Sequence, residues 1–373
     1  MKKSLFLVTL VFLFIGCGSS GGRRGLELAG RVVNDTGAPV AGVRVTTAGA
    51  APVTTNVAGE FRLTRLPATP RRVVNFSAPG YVDNTQTFPA AARGGGTTII
   101  VWPRAAAVTI DAGTGGSVPL GNGGSVTIPA NALVDAAGQP VSGPVSVSAT
   151  YFDVSNEAQL NAVPGDFTAR MRDGSQELLE SFGVFDVAIT DAQSRPVNLA
   201  AGQSATAAVP IAERFIGRAG AVSGMYSFDR VSGRWVEEGR FEREGEVFVA
   251  PITQVNTAWN VDDTVNTTCI TIRVTNPFQN NMPEANCFVD VTGINYGFST
   301  SGYTNSAGEI CFLVKKNEAV KIVAYSSQQA NWVSVPMTIT SPNVTATQAD
   351  CGIPGNCALT DIVLDLIVGG GKR

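Results

Sequence analysis

The sequence predicts an all-β protein built as three tandem β-sandwiches, and three observations lead there. Charged residues make up only 15% of the 373, with 41 Gly and 20 Pro. Long exposed helices need charged faces, and Gly and Pro break helix interiors. Short runs rich in Val, Ile, Thr and Phe alternate with Gly, Pro, Asn and Asp turns from Leu26 onward, the pattern of sandwiches. Finally, Thr55-Asn56-Val57-Ala58-Gly59-Glu60-Phe61 returns as Thr304-Asn305-Ser306-Ala307-Gly308-Glu309-Ile310.

The chain opens with Lys2-Lys3 and an apolar run, Leu5 to Ile15, ending at Gly16-Cys17. The run of 11 residues is too short to span a bilayer, which takes about 20. A charged start, a short apolar core and a small residue before the cut predict a secretory signal over 1–16. Phe14-Ile15-Gly16-Cys17 resembles the bacterial lipobox. The resemblance implies that Cys17 carries thioether-linked lipid and becomes the mature N-terminus. Residues 17–24, with Gly18-Ser19-Ser20-Gly21-Gly22, read as a flexible tether. Gly18, not Asp, follows the cysteine, and by likeness to such lipoproteins the expected place is the outer membrane of a Gram-negative cell envelope.

Residues 25–104 form the first predicted sandwich. Strand runs include Val43 to Thr47 and Val73 to Ser77. Asn-x-x-Gly in the repeated heptapeptide suits a tight loop between strands, because Asn and Gly tolerate left-handed backbone. Phe61 and Leu63, or Ile310 and Phe312, then point into a core at period two. Gly30-Arg31-Val32, Gly37-x-Pro39-Val40-x-Gly42-Val43, Thr55-Asn56-x-x-Gly59-x-Phe61-x-Leu63, Leu66-Pro67 and Ala78-x-Gly80-Tyr81 follow in order. This series resembles the carboxypeptidase regulatory-like (transthyretin-like) domain. The resemblance implies a seven-strand sandwich serving as an accessory module, not a peptidase. A looser second copy is read over 266–368, where Asn281-Met282-Pro283-Glu284-Ala285-Asn286 leads into Phe288-Val289. Residues 369–373 are a tail.

Residues 105–265 form the middle unit. Val145 to Tyr151 and Phe182 to Thr190 are strands, and Phe228-Asp229 to Trp235 is a hairpin tipped by Ser232-Gly233. The best helical candidates are single turns near Asn156 to Leu160 and Glu177 to Glu180. Gly123-Gly124-Ser125-Val126-Thr127-Ile128-Pro129, Phe182-Gly183-Val184-Phe185-Asp186 and Trp259-Asn260-Val261-Asp262 resemble the sandwich of cartilage intermediate layer protein and its ectodomain relatives. The resemblance implies an extracellular scaffold and names no catalytic residue.

Histidine is absent, which removes Ser-His-Asp and Cys-His catalysis and imidazole-based zinc. After the predicted cut 25 basic residues face 30 acidic ones, a balance that argues against nucleic-acid partners. Cys269, Cys287, Cys311, Cys351 and Cys357 are disulfide candidates in an exported chain. Their spacing lacks the close double pair of a zinc site, so no metal is assigned. Gly352, Pro354 and Gly355 bend easily, so Cys351 and Cys357 are read as able to close a small loop.

Other candidate chemistry has a plainer reading. Asp35-Thr36-Gly37 matches the aspartic-protease signature, but no second copy exists and the turn reading is preferred. The carboxylate clusters Glu237-Glu238, Asp262-Asp263 and Glu242/Glu244/Glu246 are the basis for a distant hydrolase alternative. Asp262 and Asp263 are also candidates for calcium at a junction. Trp102, Trp235, Trp259, Trp332, Tyr81 and Tyr303 are the candidate sugar-stacking aromatics, with packing the preferred reading. The sequon Asn343-Val344-Thr345 carries no weight in a bacterial chain. The expectation is a non-catalytic envelope lipoprotein for adhesion, scaffolding or ligand binding, without cofactor. It meets the membrane through Cys17 and meets envelope proteins or glycans through its body. A carbohydrate-binding surface module is the alternative.

Overall fold

The computed structural model describes residues 26–69, 71–89, 97–326, 332–351 and 353–366. The signal segment 1–16, Cys17, the tether 17–24 and the tail 369–373 lie outside the described residues. The described chain is nearly all strand, and its helical elements are short turns, including Glu157–Leu160 and Glu213–Phe215. Among the described residues no helix is long and apolar enough to cross a membrane.

The N-terminal strands form two facing sheets. In one, Leu26–Val33 lies between Glu60–Leu66, antiparallel, and Thr97–Ile100, parallel. In the other, the order is Val53–Thr54, Arg44–Thr47, Arg71–Ser77, Asn84–Pro89. Burial alternates along Arg71–Ser77, so Arg72, Val74 and Phe76 face inward. Val74 and Phe76 meet Leu28, Val32, Phe61 and Leu63 in one core, with Phe61 edge-on to Phe76 at 5.4 Å.

The C-terminal strands repeat this plan. Thr267–Asn276 pairs antiparallel with Glu309–Lys315 and parallel with Ala358–Leu366. Facing them, Phe288–Gly293 lies between Ser299–Tyr303 and Ala319–Tyr325, with Met337–Thr340 beyond. Trp332–Ser334 pairs with Ala319–Tyr325 and with Ala358–Leu366, joining the two sheets.

The repeated heptapeptide is conserved down to single hydrogen bonds. Asn56 Oδ1 accepts from Ala58 N at 3.0 Å and Glu60 N at 2.9 Å. Asn305 Oδ1 accepts from Ala307 N at 2.8 Å and Glu309 N at 3.0 Å. Thr55 Oγ1 donates to Val40 O at 2.7 Å, and Thr304 Oγ1 to Glu284 O at 2.7 Å. Gly59 and Gly308 sit at φ 76° and 71°, tight against Val32 O and Val274 O. A related loop occurs three more times. Asn34, Asp135 and Asp191 each accept a backbone N–H four residues on, at 2.9 Å in every case. Each loop ends at a proline, Pro39, Pro140 or Pro196, that bridges back to the preceding strand. The sequence signal, Asn/Asp-x-x-Gly/Ser-x-Pro-Val, read above only at Gly37-x-Pro39-Val40, is present at all three.

Between the two related units a single 11-stranded sheet folds back on itself. Its path runs from Val108–Asp111 through Pro144–Phe152, Gln176–Thr190 and Thr257–Thr264 to Val222–Asp229. It returns through Arg234–Glu244, Val247–Ile252, Ala205–Pro210 and Gly124–Ile128 to Gly116–Gly121. Trp235, Trp259, Phe185, Phe241 and Phe248 fill the space enclosed. The expected hairpin is present, with Asp229 opposite Arg234. The turn at Glu157–Leu160 is helical and capped by Asn156. Glu177 to Glu180 is not helical. It begins the 15-residue strand Gln176–Thr190, because pairing with Thr168–Arg170 and Thr257–Thr264 overrides the helix preference of Glu and Leu.

The two glycine environments give a stability test. At Gly59 an added Cβ would lie 2.4 Å from Val32 O, whereas at Gly42, φ 79°, nothing lies within 4 Å. Gly42→Ala should cost about 1–2 kcal/mol for the left-handed backbone alone. Gly59→Ala should cost roughly 3 kcal/mol or more, because strain and clash add. Urea unfolding of both variants checks the ranking.

Candidate functional site

Three units meet around one cleft of about 500 Å³. The Asn34–Gly37 loop and the strands Asn84–Pro89 and Thr97–Ile100 supply one wall. The Glu157–Leu160 turn with Gly165-Asp166 supplies a second, and Phe288–Gly293 with Ser299–Tyr303 a third. Three of these strands, Asn84–Pro89, Thr97–Ile100 and Ser299–Tyr303, end their sheets. Buried rings continue beneath the cleft: Phe88 lies 6.3 Å from Tyr303, and Tyr303 lies 5.2 Å from Phe288. Thr97 lines the cleft fully buried, and its Oγ1 has no hydrogen-bond partner among the described residues.

Ion pairs across the unit boundaries hold these walls. Arg71 grips Asp166 with both terminal nitrogens, at 2.5 and 3.0 Å, and donates to Gly233 O at 2.8 Å. Burial pushes the Asp166 carboxyl up, but Arg71 and the Thr168 and Thr87 hydroxyls outweigh it and hold it below the usual range. Arg104 Nη1 donates to Asp186 Oδ1 at 2.6 Å, and Arg230 pairs with Asp83. Asp186 is 1% exposed, and burial raises its carboxyl despite Arg104 and Arg230. On the other side, Glu180 accepts from Arg218 at 3.2 Å and from Lys315, and Arg218 reaches Glu318 at 2.9 Å. Ser181 N donates to Gly297 O at 2.8 Å, so the loop of the third unit docks by its backbone. Lys321 pairs with Glu157 at the cleft wall.

The residues singled out from sequence separate clearly. Asp35-Thr36-Gly37 is a turn on the cleft rim, where Asn34 Oδ1 accepts from Thr36 N and Ala38 N. Glu242 and Glu244 on the strand Arg234–Glu244 and Glu246 in the turn after it are exposed, as solvated charges. Asp262 and Asp263 do not form a shared site. They alternate on Thr257–Thr264, and Asp262 is fully buried, hydrogen-bonded by Asn260 Nδ2 at 2.6 Å. Burial drives the Asp262 carboxyl well above its ordinary range, and the Asp263 and Glu180 charges add to this. With Asp263 on the opposite face of the strand, the two carboxylates do not converge on one cation. Trp235 and Trp259 are fully buried and Tyr303 nearly so, which rules out sugar stacking on them. Trp102 packs near Phe152 at 6.4 Å, and half-buried Trp332 lies 4.7 Å from Phe278.

Cys351 and Cys357 do not close a loop with each other. The bonds are Cys269–Cys357 and Cys311–Cys351. Strand pairing sets Cys269 and Cys311 on adjacent strands under the 347–357 segment, so each loop cysteine meets a strand cysteine first. Cys287 is buried outside both bonds. Sequence reasoning missed the ion pairs between units as well, because their partners lie 82 to 164 residues apart (321 − 157) with no local pattern.

Residues 27–102 match the family model for the carboxypeptidase regulatory-like domain. The chain is 28% identical over 355 residues to cartilage intermediate layer protein 2 of Mus musculus, covering 90% of this chain and 29% of that one. It is 28% identical over 367 residues to cartilage intermediate layer protein 2 of Homo sapiens, covering 93% and 30%. The chain thus spans about 30% of the length of the curated relatives it matches. Among solved structures, BcpA, the major pilin subunit of Bacillus cereus, aligns over 92% of this chain and 100% of its own, at 9% identity and TM-score 0.19. That superposition is too loose to bear on function.

Asp262 yields a pH prediction. Its folded carboxyl keeps its proton to higher pH than the unfolded one, which ionises near 3.9. Below that pH both states are protonated and nothing is lost. As pH rises above it, only the unfolded state gains by ionising, so the native state loses stability until the folded acid ionises too. Asp262→Asn should therefore raise the Tm at pH 7 by a few degrees, at about 2–4 °C per kcal/mol. The gain should vanish toward pH 3.5, as read by calorimetry across pH.

Proposed function

We propose that the protein is a non-catalytic lipoprotein of the bacterial cell envelope, held by lipid on Cys17. Its body presents the three-walled cleft to a ligand or partner in adhesion or scaffolding. The observation that carries this reading is the cleft itself, whose walls come from three units tied by partly buried ion pairs. Such bracing holds a recognition surface in a fixed geometry. Two of its carboxylates, Asp166 and Glu157, are already committed to Arg71 and Lys321. The relatives are named for a layer of cartilage, which accords with a surface role.

A second reading, carbohydrate binding, is favoured by the lining alone. Gln86, Thr87, Asn161, Ser299 and Ser301 offer amide and hydroxyl groups along the lining. A glycan can pair with such neutral donors and acceptors.

Metabolic labelling with an alkyne fatty acid tests the anchor. The wild type should be labelled and membrane-bound, and Cys17→Ser should be unlabelled and released. An unlabelled wild type in the soluble fraction would sink the proposal. For the cleft, Ser299→Trp should abolish glycan-array or envelope-protein capture without changing the circular dichroism spectrum.

A further inference from the structure

The four bonded cysteines form one compact cluster. The sulfurs of Cys269, Cys311 and Cys357 all lie within 4.8 Å of one another, and Cys351 is bonded to Cys311. Sulfurs of the two different disulfides approach to 3.5 Å, at Cys311 and Cys357. A tetrahedral zinc tetrathiolate, with Zn–S near 2.3 Å, needs all its sulfurs about 3.8 Å apart. Cys269, Cys311 and Cys357 already lie near that spacing across the two bonds, and Cys351, bonded to Cys311, has to part from it and close on the other two to complete the set.

The frame around the sulfurs also fits a metal site. Cys269 and Cys311 sit on paired strands, where Cys269 faces Leu313 and Thr271 faces Cys311. Their backbone positions are set by the sheet ladder. Cys351 and Cys357 sit on a segment that carries its own order: Asp350 accepts from Thr347 N at 2.8 Å and from Asn356 Nδ2 at 3.1 Å. Ala346 and Leu313 complete a small apolar shell separate from the main core. A pocket rich in sulfur ligands selects soft cations over calcium or magnesium.

We infer that Cys269, Cys311, Cys351 and Cys357 are a single four-sulfur site with two states: two disulfides when oxidised, and one tetrathiolate-bound zinc-class cation when reduced. The chemistry balances. Each disulfide takes two electrons and two protons, four of each in all, from a dithiol that leaves as its own disulfide or from a phosphine and water that leave as the phosphine oxide. The four thiols then bind one divalent cation and release four protons. Cys311 and Cys351 are half-buried while Cys269 is 1% exposed, so reduction starts at Cys311–Cys351. The Cys311 thiolate is then in contact with Cys357 Sγ. Its attack there would form a Cys311–Cys357 bond and free Cys269 as the leaving thiolate.

The test uses the full mature chain carrying Cys17→Ser, reduced without oxygen by a phosphine and titrated with Co²⁺. The expected result is one Co²⁺ per chain with the red absorption of a tetrahedral thiolate site, displaced by one equivalent of Zn²⁺. Cys351→Ser and Cys357→Ser should each weaken binding at least tenfold, while Cys287→Ser should leave it unchanged. Should the reduced apo chain lose its strand spectrum, Zn²⁺ must restore it and protect four thiols from alkylation. The inference is overturned if the reduced chain takes up no Co²⁺, if binding follows Cys287, or if Zn²⁺ neither restores nor protects.

Discussion

Side-chain carbonyls at loop starts set the register on which the molecule depends. Asn34, Asn56, Asp135, Asp191 and Asn305 each fold the following residues back by accepting backbone N–H groups that the turn would leave unpaired. A one-residue slip in such a loop would turn every inward side chain outward. Phe61 and Leu63 reach the core because Asn56 fixes where their strand begins, and Asn305 does the same for Phe312. The loops are polar and exposed, yet they decide which residues are apolar and buried.

Given that register, the unit faces carry charges to matching places. Arg71, Arg104 and Arg230 meet Asp166, Asp186 and Asp83 on one side of the middle unit, and Lys315 meets Glu180 and Glu318 meets Arg218 on the other. Ion pairs of this kind add little net stability over apolar packing, but breaking one leaves a charge with no partner and little water. They act chiefly as alignment devices. The cleft follows from that alignment, since its walls come from three separate stretches of chain.

Much of the fold was legible because turn chemistry is local. Asn-x-x-Gly and Gly-x-Pro-Val carry their meaning within a few residues, so the sandwich pattern and the repeat could be read directly. What failed had distant causes. Glu177 to Glu180 favours a helix by composition and is a strand by pairing. Cys351 and Cys357 are close in sequence, but the sheet beneath supplies nearer partners. The Asp262-Asp263 pair suggested a shared site, whereas strand alternation sends the two carboxylates to opposite faces. The cleft itself had no sequence signature, because no single segment makes it.

Both related units are closed by a parallel pairing of their last strand on their first. Thr97–Ile100 returns to Leu26–Val33, and Ala358–Leu366 returns to Thr267–Asn276. Contacts so far apart along the chain are slow to form, because loop closure must be paid before they reward it. During synthesis neither unit can reach its native topology until its final strand has emerged. Each nascent unit thus stays open, with a bare central strand, through most of its own translation. That delay opens a window in which the unpaired edge is exposed and has to be shielded from pairing with other chains.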